Sequence, residues 1–240
     1  MVSKRNFLRP SGLGKYTLDD SVNYFGIIME KKKRLEELKK KVEDCRNCPL
    51  GRSRKYPVFG EGDEESKVIF IGEAPGYYED QIGKPFVGQA GRLLDNLLAE
   101  IGLSRNSVYI ANVLKCRPPG NRDPLPEEID ACKSYLMEQL KIIQPLIICT
   151  LGRFALVSIY NKSASITTLH GKMIQMEKFN IFPLYHPAAA LHQPMLLDSI
   201  KEDFAKLKEQ LAKPIPEIKP YPKVIKTPEK KIEQEQMKLF

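Results

Sequence analysis

The sequence of 240 residues has no tryptophan, only three histidines and only five cysteines. It lacks any apolar run approaching the roughly 20 residues that a membrane-spanning helix requires, and its first residues, MVSKRNFLRPSG, lack the apolar core of a secretory signal. We therefore expect a cytoplasmic protein with no membrane partner. Because disulfides are rare in that compartment, the cysteines are expected to stay reduced or to bind a metal.

Basic residues outnumber acidic ones, which gives a formal net charge of +8 and a pI near 9.1. This charge is compatible with nucleic acid or an acidic surface as a partner. Part of the excess lies in the terminal segments, so a solvated lysine surface explains it equally well. The abundant lysine and glutamate would suit a thermophilic protein.

Apolar runs of strand length alternate with amphipathic segments of helix length between residues 67 and 211. The predicted strands are 68–72, 107–114, 145–152 and 181–185, and the predicted helices are 31–42, 90–101, 127–143, 153–160 and 196–211. Strands separated by helices predict an α/β fold, a three-layer α/β/α arrangement with a central, mainly four-stranded parallel sheet. Functional sites in such folds lie at the carboxyl ends of the strands.

The flanking segments differ in composition from this central region. Residues 1–30 show no clean period and predict an irregular N-terminal extension, ahead of a single globular domain at 31–212. Residues 213–233 alternate prolines with lysines, which favours an extended linker. Residues 234–240 regain apolar side chains and form a separate peptide at the end of the sequence. We expect the protein to be a monomer.

Four of the five cysteines have a spacing that suggests a metal site. Cys45 and Cys48 form a C-x2-C pair, whereas Cys116 and Cys132 are separated by fifteen residues. Such sets bind either zinc or an iron–sulfur cluster. Because only one close pair is present, the spacing favours a [4Fe–4S] cluster over zinc, with free thiols as a third possibility. Cys149 lies in an apolar strand and is expected to be a core residue.

Three loops that follow predicted strands carry polar or glycine-rich motifs. Residues 72–76 (GEAPG) follow the first strand and continue to Glu79 and to residues 83–88 (GKPFVG). Glycines let backbone N–H groups approach a ligand closely, and Glu73 and Glu79 supply carboxylates. An ordinary turn is the alternative. The pattern is neither G-x-G-x-x-G nor a Walker A loop, so no nucleotide cofactor is expected.

The second and third loops offer hydrogen-bonding groups at the same predicted rim. Asn112 ends the second strand, where its amide offers a donor and an acceptor to a base edge. His186 follows the fourth strand, where a neutral imidazole would donate to a developing oxyanion. The alternative to a binding role is that Asn112 is an ordinary amide at a strand end and that His186 only caps the start of a helix. The small residues after His186, with Leu191, could wedge into the space left by an extruded base; they are Ala188, Ala189, Ala190 and Leu191.

Taken together, the motifs resemble the family 4 uracil-DNA glycosylases over about residues 40–210. The segments that carry the resemblance are GEAPG, GKPFVGxAG, KCRPPGNR and HPAAAL, in that order, with the four-cysteine spacing. The resemblance implies a monofunctional enzyme that hydrolyses the N-glycosidic bond of uracil in DNA and leaves an abasic site. It also implies a structural [4Fe–4S] cluster on Cys45, Cys48, Cys116 and Cys132, and no catalytic metal. The alternative is a non-catalytic iron–sulfur DNA-binding module associated with replication.

The resemblance also implies roles for individual residues. Glu73 matches the position that orients or activates the attacking water, and Ala74 the position where other glycosylase families place a catalytic Asp. Phe86 matches the aromatic residue that stacks on the extruded uracil. Asn112 matches the amide that recognises uracil and rejects cytosine, and His186 matches the donor to uracil O2. Pro75 belongs to the same uracil-binding loop, and Glu79 matches a residue near uracil C5 that would exclude the thymine methyl.

The last seven residues contain the pattern Q-x-x-M-x-x-F, formed by Gln234, Met237 and Phe240. It resembles the short peptides that bind sliding clamps, which insert an aliphatic and one or two aromatic side chains into a pocket. A coincidentally amphipathic end is the alternative, and the second terminal aromatic residue usual in such peptides is missing. The position at the end of a Pro/Lys linker favours a clamp as partner.

Overall fold

The computed structural model describes residues 18–214. Its α-helices are α1 (Leu18–Asp44), α2 (Leu50–Ser53), α3 (Tyr77–Ile82), α4 (Gln89–Glu100), α5 (Pro126–Ile143), α6 (Arg153–Ile159), α7 (Ile166–Leu169), α8 (Pro187–His192) and α9 (Leu196–Leu211). Its strands are β1 (Glu61–Gly62), β2 (Val68–Gly72), β3 (Tyr109–Asn112), β4 (Ile147–Leu151), β5 (Ile174–Gln175) and β6 (Asn180–Leu184). None of the helices in this range is long and apolar enough to cross a membrane.

The strands form one sheet in the order β1-β3-β2-β4-β6-β5. The four inner strands are parallel and fully buried, as expected for strands covered on both faces. This confirms the predicted parallel sheet. The edge strands β1 and β5 were not predicted; they are antiparallel to their neighbours. Each has only two residues, too few to show a period.

Helices cover both faces of the sheet, and alternate side chains of each strand point to opposite cores. Ile69 and Ile71 of β2 lie in the core formed with α1, α5 and α6, whose buried residues include Leu35, Leu38, Val42, Leu136, Leu140 and Leu156. Val68 and Phe70 lie in the core formed with α4 and α9, whose buried residues include Leu94, Leu97, Leu98, Ile200, Phe204 and Leu207. The three-layer α/β/α arrangement is therefore confirmed.

The irregular segment expected at 1–30 needs a correction over residues 18–30, whereas residues 1–17 lie outside the described residues. Helix α1 begins at Leu18, so residues 18–30 continue the helix that was predicted to start at 31. No proline lies between Pro10 and Pro49, and a helix anchored by its buried Leu35, Leu38 and Val42 extends readily once it is nucleated. The predicted linker at 213–233 lies almost wholly outside the described residues, and the peptide at 234–240 entirely so.

The sheet places three loops on one rim. Strands β2, β3 and β6 end at Gly72, Asn112 and Leu184, and all three are parallel members of the inner sheet. Their carboxyl ends therefore face the same side, and the loops that carry GEAPG, KCRPPGNR and HPAAAL start there. This is the edge at which open α/β sheets bind ligands.

Candidate active site

The three loops enclose one pocket at this rim. It is lined by Glu73, Ala74, Pro75, Gly76, Glu79, Phe86, Ala90, Asn112, Pro118, Asn121, Arg122, His186, Ala188, Ala189 and His192. All seven side chains that the resemblance assigned to uracil binding are thus brought together. Sequence reasoning gave no role to six further residues of the pocket, although five lie within the quoted motifs and the last directly follows one; they are Gly76, Ala90, Pro118, Asn121, Arg122 and His192.

The residues expected to form a DNA wedge are divided between different environments. Ala188 and Ala189 line the pocket, and Leu191 is 44% exposed. Ala190, in contrast, is buried in the core shared with α4 and α9. Ala190 therefore cannot be part of an exposed wedge, because α8 packs against α4 and α9 and buries this side chain in their core.

Asn112 is buried at the floor of the pocket, with 1% of its surface exposed. Its Oδ1 atom has no hydrogen-bond partner within the described residues. A Cβ at position 72 would collide with both this atom and the Phe86 ring, so glycine at Gly72 is what lets the amide and the ring meet. Leaving an acceptor buried without a partner costs about 1–3 kcal/mol. A ligand that donates to Oδ1 would recover that free energy.

Phe86 lies beside His186, with ring centroids 5.5 Å apart and planes inclined by 27°. Its backbone is in the left-handed region, with a φ of 52°. A residue with a bulky side chain adopts this conformation only where its surroundings enforce it. One such contact is with Gly91 at the start of α4, where the Phe86 carbonyl packs directly against the glycine. Any Cβ at position 91 would collide with that carbonyl.

Arg105 supplies the second constraint on Phe86. Its guanidinium donates to the carbonyl oxygens of Pro85 at 2.6 Å and Phe86 at 3.1 Å. It is held in turn by ion pairs with Glu61 at 2.6 Å and Asp95 at 3.0 Å. The planar fork of arginine donors suits this simultaneous contact. Nothing in the sequence predicted this residue, since its partners lie 10 to 44 positions away.

His186 is present as a neutral imidazole. Burial lowers its pKa to about 4, an effect that the nearby Glu79 carboxylate only partly opposes. Its Nδ1 atom accepts a hydrogen bond from the Ala188 N–H at 3.1 Å, which places the ring proton on Nε2. The pocket therefore contains an uncharged N–H donor at the amino end of α8.

The carboxylates of the first loop have different environments. Burial raises the pKa of Glu73 to about 7; Asp123 contributes in the same direction, and Arg153 opposes it. Glu79 instead accepts hydrogen bonds through Oε1 from the N–H groups of Val87 and Gly88, at 2.9 and 3.0 Å. Glu79 thus fixes the segment between Phe86 and α4, whereas Glu73 is the carboxylate that changes protonation near neutral pH.

The four predicted cysteine ligands meet at a second, smaller pocket. They come from three parts of the chain: Cys45 and Cys48 from the turn between α1 and α2, Cys116 from the loop after β3, and Cys132 from α5. Arg54 donates to the Cys116 sulfur at 3.0 Å, and the Lys115 backbone N–H donates to the Cys132 sulfur at 3.3 Å. Burial raises the pKa of Cys132 to about 11. Cys149 is a buried core residue of β4, as predicted.

These sulfurs do not form a preorganised site for one ion. In residues 18–214, no three His, Cys, Asp or Glu side chains are arranged to hold a single metal ion. The four cysteines line one pocket, and N–H donors to sulfur are a common feature of iron–sulfur sites. The residues present fit a cluster bound by four thiolates.

Comparisons with known proteins agree with the geometry of the pocket. The model of the uracil DNA glycosylase superfamily matches residues 59–212. The type-4 uracil-DNA glycosylase of Archaeoglobus fulgidus is 44% identical over 195 residues, covering 78% of this chain and 98% of the relative. The enzymes of the same name from Saccharolobus solfataricus and Sulfurisphaera tokodaii are 48% and 47% identical, over 75% and 73% of this chain and 88% and 84% of their own lengths.

The superfamily match spans more than half of the chain and includes all three loops of the pocket. The relatives are matched over most of their own length as well as most of this chain. By sequence and by fold, the chain therefore belongs to the type-4 uracil-DNA glycosylases of the uracil DNA glycosylase superfamily.

Proposed function

We propose that this protein hydrolyses the N-glycosidic bond of uracil in DNA, leaving an abasic site during base excision repair of deaminated cytosine. The observation that carries this proposal is the unpartnered Oδ1 of buried Asn112 beside Phe86 and His186. Nothing favours the alternative of a non-catalytic DNA-binding module, because the relatives are named as glycosylases.

Recognition of uracil follows from the hydrogen-bonding pattern of its edge. Uracil presents a donor at N3–H and an acceptor at O4, which match the acceptor and donor of the Asn112 amide. Cytosine presents the reverse pattern, so its edge would leave Asn112 unpaired. Phe86 supplies an apolar face for the extruded ring, which offsets part of the cost of unstacking the base. Glu79 and Pro75 limit the space around the ring, and Glu79 would exclude a methyl group at C5.

The remaining residues act on the charges that develop as the bond breaks. The bond between the sugar C1′ and uracil N1 breaks with its electron pair moving to uracil, and a water oxygen bonds to C1′. The His186 Nε2–H would donate to uracil O2, where negative charge accumulates. The Glu73 carboxylate would orient the water and accept its proton, because Ala74 carries no acid. Every one of these steps is performed by side chains of the pocket.

Replacing Asn112 by alanine is expected to lower kcat/KM for uracil excision by about 5- to 160-fold, equivalent to about 1–3 kcal/mol. The variant loses both hydrogen bonds to the base edge. The measurement is alkali-sensitive nicking of a uracil-containing oligonucleotide, with a cytosine-containing strand as negative substrate. Asn106→Ala removes an exposed amide outside the pocket and serves as the matched control. Full activity of Asn112→Ala, or no excision by the unmodified protein, would refute the assignment.

The excision rate is expected to rise with pH through about 7 in the free enzyme. Burial raises the pKa of Glu73 to about 7, and the ionised carboxylate is the form that accepts a proton from water. Below this pH the protonated form dominates and the rate falls; His186, with a pKa of about 4, stays neutral throughout. A profile of kcat/KM between about pH 5 and 9 measures this limb. Glu73→Gln should be slow at every pH, and its kcat/KM should not rise through pH 7. If the rise were unaltered in that variant, the titrating group would be a residue other than Glu73.

We also propose that Cys45, Cys48, Cys116 and Cys132 hold a [4Fe–4S] cluster with a structural role. Four sulfurs from separate segments around one pocket support this, together with the N–H donors from Arg54 and Lys115. The cluster would supply cross-links between α1, α2, α5 and the loop after β3, and it is not required for the chemistry at the pocket. Iron and sulfide analysis of anaerobically purified protein separates a cluster from zinc.

The clamp-binding peptide remains a proposal from the sequence. Gln234, Met237 and Phe240 lie outside the described residues; the Q-x-x-M-x-x-F pattern and its position after a Pro/Lys segment support the proposal. A sliding clamp would hold the enzyme close to DNA that is being copied, in addition to the contacts that the pocket makes with the substrate.

A further inference from the structure

Two adjacent tyrosines stand exposed at the start of α3. Tyr77 is 51% exposed and Tyr78 is 60% exposed, and their rings meet edge to face with centroids 5.4 Å apart. Both neighbours of the pair, Gly76 and Glu79, line the pocket described above. The two tyrosines therefore lie beside the pocket without lining it, and neither has a role in the chemistry proposed for it.

A cation from the second loop joins this pair. The Arg117 guanidinium lies 5.1 Å from the centroid of the Tyr77 ring, a cation–π contact. Its Nε donates to the Asn121 side chain at 2.7 Å, and Asn121 also lines the pocket. One side of the rim therefore combines exposed aromatic faces with a positioned guanidinium. Stacking rings beside a positive charge are what proteins use to bind unpaired nucleotides.

We propose that Tyr77, Tyr78 and Arg117 form a stacking surface for an unpaired nucleotide that flanks the extruded uracil. The Tyr78 ring, the more exposed of the two, would stack on its base, while Tyr77 supports that ring edge to face. The Arg117 guanidinium would contact a phosphate. A base that is still paired and stacked in a duplex cannot offer its face to these rings. The surface therefore favours single-stranded substrate. This inference rests on the proposed function, since it places the surface next to a bound uracil.

The test compares Tyr77→Ala/Tyr78→Ala with the unmodified full chain on the same uracil-containing sequence, single-stranded and in duplex. We expect KM on the single strand to rise about 10-fold or more, from the loss of base stacking. The change on duplex should stay within about twofold, and kcat should change little on either substrate. Tyr77→Phe/Tyr78→Phe keeps both rings and should behave like the unmodified protein.

Two further variants separate this role from a general loss of stability or charge. Tyr160→Ala removes an exposed tyrosine that does not line the pocket and should leave both KM values unchanged. Arg117→Gln should weaken binding of a uracil-free single strand, measured by fluorescence anisotropy, and reduce the salt dependence by about one phosphate contact. Thermal melts of each variant check that the fold is intact.

The outcomes distinguish this inference from the proposed function. If the unmodified protein excises no uracil, the proposed function fails, while the anisotropy arm still tests the stacking surface. The inference would be overturned if Tyr77→Ala/Tyr78→Ala kept the KM of the unmodified protein on the single strand and its affinity, by anisotropy, for a uracil-free single strand. Equal losses on single strand and duplex would overturn it too, because they indicate a contact that does not depend on an unpaired base.

Discussion

Replacing His186 by alanine is expected to lower the rate constant of uracil excision by about 100- to 1,000-fold, the usual effect of removing one donor to a developing oxyanion. The loss should appear in kcat as well as in kcat/KM, because the negative charge on uracil O2 is larger in the transition state than in the bound substrate. The measurement is single-turnover excision with enzyme in excess over a uracil-containing oligonucleotide.

His170→Ala is the control for this experiment. His170 also carries a hydrogen-bonded ring, with its Nδ1 2.7 Å from Asp203, but it does not line the pocket. It should affect thermal stability more than the rate of excision. If His186→Ala excised uracil at the unmodified rate while His170→Ala was slow, the assignment of the donor would be wrong. A rate limb that titrates near neutral pH and disappears in His186→Ala would equally contradict a neutral imidazole, whose pKa lies at about 4.

The second large effect is expected at the cysteine pocket. Cys116→Ser should lose most of the iron and lower the Tm by about 10–20 °C, because a metal site of this kind contributes several kcal/mol and each kcal/mol moves the Tm by about 2–4 °C for a chain of this length. Cys116 packs in one cluster with Cys48 and Cys132, so its loss would disconnect the loop after β3 from the segment before α2 and from α5.

Cys149→Ala is the matched control for Cys116→Ser. It removes a buried thiol that does not line the cysteine pocket, so iron content should be retained and only the cost of a small cavity should appear in the Tm. Mild reductants should leave turnover unchanged, because excision transfers no electrons. A Cys116→Ser protein with full iron content and an unchanged Tm would exclude this residue as a ligand.

Much of the fold follows from short-range pattern. The run at 68–72 and the amphipathic segment at 196–211 match β2 and α9 residue for residue, because a buried parallel strand and a one-sided helix have distinct periods. The position of the three loops at one rim could then be predicted as well, since parallel strands end on the same side of a sheet. The edge strands β1 and β5 and the first turns of α1 were missed, because two-residue pairings and helix extension depend on neighbours rather than on local period.

The residues of the pocket likewise fall into those that the sequence predicted and those that it did not. Glu73, Asn112 and His186 were found because they follow strands and belong to a resembling set of motifs. Arg105, which holds the backbone of Phe86, was not found, because its importance depends on four partners that the fold brings together from distant positions. The burial of Ala190 was missed for a related reason: a run of three alanines does not reveal which of them packs into the core with α4 and α9.

The Oδ1 atom of Asn112, which has no partner within the described residues, serves ligand binding at a cost to the stability of the fold. An apolar side chain of similar shape, such as leucine, would remove the buried acceptor and with it about 1–3 kcal/mol of desolvation cost. Selection for a sturdier protein alone would therefore tend to erase Asn112, whereas selection for repair retains it. The acceptor also cannot distinguish a base attached to DNA from the free base after cleavage. Released uracil should thus compete with the next lesion, and excision should slow as product accumulates.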